Sequence, residues 1–121
     1  MWSYKQSTGE LFSAEEKLLA TGYAGNGIGK NNPAMQDVHN VGPLPRGIYT
    51  MEAPVNTQTH GPYVLWLVPN ADNEMFGRSS FGIHGDSVVH PGTASEGCIC
   101  MPRFARERVW QSDDHLIQVV E

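Results

Sequence analysis

A chain of 121 residues supports one hydrophobic core, so a single domain spanning 1–121 is expected. The net charge of −5 and pI near 5.4 exclude the basic stripe that nucleic-acid binding needs, and an acidic surface gains nothing from an anionic membrane. No run approaches ~18 apolar residues, so no membrane insertion is expected, and thirteen glycines with eight prolines favour a mainly β fold with many turns.

In chain order, Trp2–Gln6 and Glu10–Phe12 flank Ser7-Thr8-Gly9 and predict a hairpin. The same N-terminus lacks the apolar core of a secretory leader, which predicts a protein made in the cytoplasm that leaves by another route. Ser13-Ala14-Glu15-Glu16 matches a capping box ahead of Lys17-Leu18-Leu19-Ala20, a helix signal, while the segment also fits a third strand; the strand is the preferred reading. Residues 24 to 46 are rich in Gly and Pro and predict a long connection, with one helical turn at Pro33–Gln36. Gly47–Met51 is a strand by β-branched and aromatic content. Pro62–Pro69, apolar almost throughout, predicts a central strand buried on both faces. Ser79–His84 is another strand. Met101–Trp110 predicts a helix whose apolar face is Phe104, Val109 and Trp110, with Arg103, Arg106 and Arg108 on its solvated side, and His115–Val120 closes the chain as a strand.

The chemistry-bearing residues fall between these elements. Phe81-Gly82-Ile83-His84-Gly85-Asp86 carries a histidine out of a short apolar run, and Ser95-Glu96-Gly97-Cys98-Ile99-Cys100-Met101 sets a cysteine between a glycine and a second apolar run. A thiol becomes the strongest side-chain nucleophile once an imidazole draws off its proton, and Gly97 leaves room for a substrate carbonyl. The gap between His84 and Cys98 is too long for one strand or helix, so the fold has to bring them together. Cys98 therefore reads as a nucleophile rather than a structural thiol, and His84 as its general base rather than a core histidine. The second ring nitrogen of His84 needs an acceptor, which is either a backbone carbonyl or, as weaker side-chain candidates, Asp86 or Ser87. Cys100 reads as a small core residue, and a Cys98–Cys100 bridge would close a strained ring. His84, His90, Cys98 and Cys100 include zinc-ligand types, but Cys-x-Cys without a Cys-x2-Cys knuckle argues against a site; no metal or cofactor is expected.

Ile83-His84-Gly85 followed by Ser-x-Gly-Cys-Ile-x-Met at 95–101 resembles the signature of the L,D-transpeptidase catalytic domain, whose members remodel the peptide stems of bacterial peptidoglycan. Gly22-Tyr23-Ala24-Gly25-Asn26-Gly27, Asn31-Asn32-Pro33, Gly42–Tyr49 and Met75-Phe76-Gly77-Arg78 look like a compact branch, the type VI secretion L,D-transpeptidase effectors. The resemblance implies a small mixed β-sheet or barrel with one C-terminal helix. It implies Cys98, His84 and Gly97 as catalytic residues that cleave the diaminopimelate–D-Ala bond of tetrapeptide stems through a thioester. It further implies an antibacterial protein carried by a secretion apparatus into the periplasm of a target cell, with an immunity protein as partner. Cys100 departs from the family, where many members carry arginine. Ser95, Gly85, Asp86 and Tyr23 are expected at the substrate groove. Arg78 has two readings: a fork that clamps the D-Ala carboxylate, or a structural residue, either an ordinary surface arginine or one paired to Asp72 or Glu74. Two alternatives stay open, a phage lysis enzyme with the same chemistry and a non-catalytic wall-binding module.

Overall fold

In the computed structural model, which covers residues 1–121, β1 (Trp2–Lys5) places Trp2 and Tyr4 in the core and leaves Ser3 and Lys5 half-buried. This is the period of two that a one-sided strand imposes. β2 (Glu10–Phe12) completes the expected hairpin with Leu11 opposite Tyr4. The ambiguous segment resolves as a turn and then β3 (Leu18–Thr21). Ser13 Oγ accepts from the Lys17 N–H at 3.3 Å and the Ser13 N–H donates to the Lys17 carbonyl at 2.9 Å, so the helix-start residues are spent on closing a hairpin.

Beyond Gly22 come β4 (Tyr23–Ala24) and the long connection, which holds single 3-10 turns at Gly27–Gly29 and Pro33–Met35. The second lies where a helical turn was expected; Asn32 caps it by accepting from the Ala34 N–H at 3.1 Å. The remaining elements are β5 (Gly47–Met51), β6 (Val55–Thr57), β7 (Gly61–Pro69), β8 (Gly82–His84), β9 (Ile99–Cys100), α1 (Arg103–Gln111) and β10 (Leu116–Val120).

Three expectations need correction. β7 is not buried on both faces: Val64, Leu65 and Leu67 are in the core, but Val68 is 47% exposed, opposite exposed Thr50 on the outer face. The strand ending at His84 is shorter than Ser79–His84, because Ser80 sits at φ +66°, outside extended space. The buried face of α1 is Ala105, Arg106 and Val109, while Phe104 is 56% exposed. Arg106 is drawn inward by the carbonyls of Pro62 and Tyr63, to which Nη1 donates at 2.8 and 2.9 Å. Arg103 and Arg108 remain on the solvated side.

The strand order is β3-β2-β1-β10-β5-β7-β8-β9-β4, with β6 added on β7; β1–β10 and β8–β9 are parallel and the other pairs antiparallel. The two ends of this order, β3 and β4, are neighbours in sequence joined by Gly22, so the sheet wraps around its core. They do not pair with each other. The fold is mainly β with one helix, as expected, but an open curled sheet rather than a closed barrel. No helix is long and apolar enough to cross a membrane.

One pairing positions the chemistry. In the parallel β8–β9 ladder Ile83 lies opposite Ile99 and His84 opposite Cys100. Both isoleucines are fully buried, a contribution of about 1.5–3 kcal/mol each. A one-residue slip of β9 would turn Ile99 out of the core and away from Ile83, so their shared burial fixes the register.

Candidate active site

Alternation along a strand puts Gly82 and His84 on the face of β8 opposite Ile83 and Cys100 on the matching face of β9, while Cys98 lies in the bend just before β9. Gly82 has no side chain, and its N–H donates to Cys98 Sγ at 3.3 Å. Cys98 and His84 thereby line the same cleft of about 690 Å³. The other walls come from Thr59, His60 and Trp66 on one side and Ser79, Ser80 and Glu96 on the other.

The tautomer of His84 follows from its partner. Nδ1 lies 2.7 Å from the Gly85 carbonyl, which can only accept, so Nδ1 carries the proton and Nε2 keeps its lone pair. The orienting group is thus a backbone carbonyl rather than Asp86 or Ser87. No protein group bonds Nε2. Burial lowers the pKa of His84, the neighbouring His60 and Arg106 charges push the same way, and the Gly85 carbonyl and Asp86 oppose them; the result lies below the ordinary imidazole value. The ring is neutral at pH 7 and competent as a base.

Cys98 is a thiol at rest. Burial raises its pKa, Glu96 adds to the rise, and the Gly82 N–H and the Arg78 guanidinium counter only part of it. Its S–H points towards the Ser80 carbonyl at 3.8 Å. The two cysteines are distinguished by geometry. Cys100 Sγ lies 3.8 Å from Nδ1, the ring nitrogen already bonded to Gly85, and it does not line the cleft. Burial pushes its thiol up to about 12.

The loop between base and nucleophile is tied down by residues that had been expected at the substrate. The Asp86 carboxylate accepts from the Tyr23 hydroxyl at 2.5 Å, the Ser87 N–H at 2.7 Å and the Gly92 N–H at 3.0 Å. Burial raises the Asp86 pKa, but these donors outweigh it and hold the carboxyl below its usual range. The Tyr23 hydroxyl in turn accepts from the Ala94 N–H at 2.9 Å, and Lys30 sits 4.3 Å over its ring. Ser95 Oγ donates to the Cys98 carbonyl at 2.6 Å and accepts from the Gly25 and Gly97 N–H groups at 2.8 and 3.0 Å. Of this set Gly85 and Asp86 line the cleft; Tyr23 and Ser95 lie behind it and set the loop.

Gly97 contributes through what it lacks. At φ +141° a Cβ would come within 2.7 Å of Arg78 Nη2 and of the Phe81 ring. Its N–H is spent on Ser95 Oγ, so it is no oxyanion donor; the Cys98 N–H, which makes no bond to another residue, is the free donor beside the sulfur.

Neither reading of Arg78 describes its place. It is 6% exposed and pairs with neither Asp72 nor Glu74. Nη1 donates to the Gln36 and Pro43 carbonyls at 2.6 and 2.8 Å, and Nη2 to those of Gly42 and Glu96 at 2.9 and 3.2 Å. With all four terminal N–H bonds given to backbone, the guanidinium is the post around which the long connection and the Glu96–Gly97 turn are built. A substrate carboxylate would have to break that framework to reach it. His90 is exposed and its N–H donates to Ser87 Oγ.

Sequence reasoning missed Thr59, His60 and Trp66. His60 sits in the β6–β7 turn, where Thr, His and Gly read as ordinary turn residues, and nothing in the pattern places it beside His84, 5.0 Å between ring centroids. No group of three or more His, Cys, Asp or Glu side chains is placed to hold a metal ion.

With this geometry in hand, the comparisons with known proteins add one finding. A family model described as the Tlde1 domain matches residues 19–119, a span that includes the cleft, the long connection and the helix. No curated protein gives a significant match.

Proposed function

Since the chain belongs to the Tlde1 domain family, the type VI secretion L,D-transpeptidase effectors that modify peptidoglycan, we propose that it is a cysteine L,D-carboxypeptidase that also exchanges D-amino acids on tetrapeptide stems. The observation that carries this reading is the shared cleft, whose wall holds both Cys98 and a neutral His84 with its Nε2 unengaged.

His84 Nε2 takes the proton of Cys98 as Sγ attacks the diaminopimelate carbonyl. An S–C bond forms, and the carbonyl oxygen becomes an oxyanion beside the Cys98 N–H. One such donor contributes about 2.7–4 kcal/mol in comparable enzymes. The imidazolium then returns its proton to the leaving nitrogen, the C–N bond breaks, and D-Ala departs from a thioester. Water, deprotonated by His84, cleaves the thioester and restores the thiol; a free D-amino acid in its place gives the exchanged stem. Either outcome removes tetrapeptide donors needed for cross-linking, which suits an antibacterial effector acting in the periplasm of a target cell. The producing cell then needs an immunity protein as partner.

The test is incubation with disaccharide tetrapeptide, with and without D-Met, and a mass readout of products. The parent is expected to give disaccharide tripeptide and the D-Met-exchanged stem. Cys98→Ala should give neither while keeping its fold, and Cys100→Ala should keep most activity. Equal loss in both folded variants would overturn Cys98 as the sole nucleophile.

A further inference from the structure

We propose that His60 binds the terminal carboxylate of the residue that leaves, and so makes the enzyme selective for stems that end at that residue; this rests on the reading of Cys98 and His84 given above. The leaving nitrogen has to lie within about 2.6–3.2 Å of His84 to receive its proton. In a terminal amino acid the carboxylate carbon is two bonds from that nitrogen, over N–Cα and Cα–C bonds of about 1.46 and 1.52 Å. The carboxylate is therefore delivered to whatever adjoins the His84 ring, and His60 adjoins it.

The ring of His60 stands 5.0 Å from that of His84 and tilted by 56°. Trp66 holds it edge-on at 5.3 Å, and Thr59 Oγ1 lies 2.8 Å from its Nδ1. Nδ1 is thus occupied and the ring packed, while Nε2 has no protein partner. No lysine or arginine lines the cleft, and its other titratable groups besides His84 and Cys98 are the carboxylates Asp86 and Glu96, which repel an anion. Arg78 is bound to four carbonyls. With no lysine or arginine on the wall, His60 is the imidazole beside the base that can present an N–H to a carboxylate.

The experiment compares kcat/KM for disaccharide tetrapeptide ending in free D-Ala with the same compound ending in D-alaninamide, in the parent, His60→Ala and His60→Phe. The phenyl ring keeps the contact with Trp66 and removes both nitrogens. The parent is expected to prefer the free acid by about tenfold or more, mainly through KM, the effect of one hydrogen bond to a charged group. The variants should lose that preference while still forming the Cys98 acyl-enzyme seen by mass. In parallel, D-alanine but not D-alaninamide should shift the His60 ring resonances of the parent, a readout that needs no variant to fold. A preference retained in a folded variant, or no acid-specific shift, overturns the role of His60. A parent that acylates with neither compound overturns the underlying reading of Cys98 and His84, and the two failures are told apart by the acyl-enzyme.

Discussion

At Cys98 burial raises the thiol pKa, and at His84 burial lowers the imidazole pKa, so at neutral pH both partners are uncharged. In the proposed mechanism the pair rests as thiol and imidazole rather than as an ion pair, and the proton moves only as the sulfur attacks. The sign of the pH dependence follows. A base with a depressed pKa in the folded enzyme keeps its lone pair into mild acid, so the acid limb of kcat/KM should lie below the ordinary imidazole value of about 6.5. Alkylation of Cys98 by iodoacetamide should be slow at pH 7 and rise through the alkaline range, above the usual thiol value of about 8.5. His84→Gln should cost about 10²-fold or more in acylation. An acid limb at or above 6.5, or rapid alkylation at neutral pH, would show that the pair is ionised at rest.

Elements do for the site what single residues cannot. β8 and β9 are three and two residues long, and their register is set by Ile83 against Ile99. β7 supplies Trp66 to the cleft and is held from behind by α1 through Arg106. Replacing Arg106 by methionine keeps much of the buried stem but leaves the Pro62 and Tyr63 carbonyls without their donor, a cost of about 1–3 kcal/mol. Urea unfolding should show a lower midpoint with an unchanged slope. A change within about 0.5 kcal/mol, the range of an ordinary surface substitution, would mean that the helix is held by Ala105 and Val109 alone.

For the molecule as a whole, chemistry and compartment have to coincide, because the proposed substrate lies outside the cytoplasmic membrane. Produced in the cytosol of a Gram-negative cell, the protein should be nearly harmless. Fused to an export signal, it should stop growth and cause swelling or lysis, while the exported Cys98→Ala form is tolerated. The thiols are free, and Cys98 is 8% exposed, which slows its oxidation in the periplasm. Growth counts and microscopy read the outcome. Toxicity from the cytosol that export leaves unchanged would point to an intracellular target instead.

The amino-acid sequence determined the elements that carry their own periodicity or turn chemistry. These are the β1–β2 hairpin, β5, α1 and β10, together with the two residues, Cys98 and His84, on which the proposed mechanism rests. It left β4, β6 and β9 unread, since a strand of two or three residues has no period to detect. It overstated the burial of β7, because apolar content does not reveal that Val68 faces outward or that Trp66 faces a cleft. Tertiary structure alone decided which thiol shares the cleft with His84: Cys98 lines it and Cys100 does not. It also decided that Arg78 is a buried post and that His60 stands beside the base. Those assignments depend on carbonyls and rings brought from 18 to 42 residues away, and contacts at such separations leave no local trace along the chain.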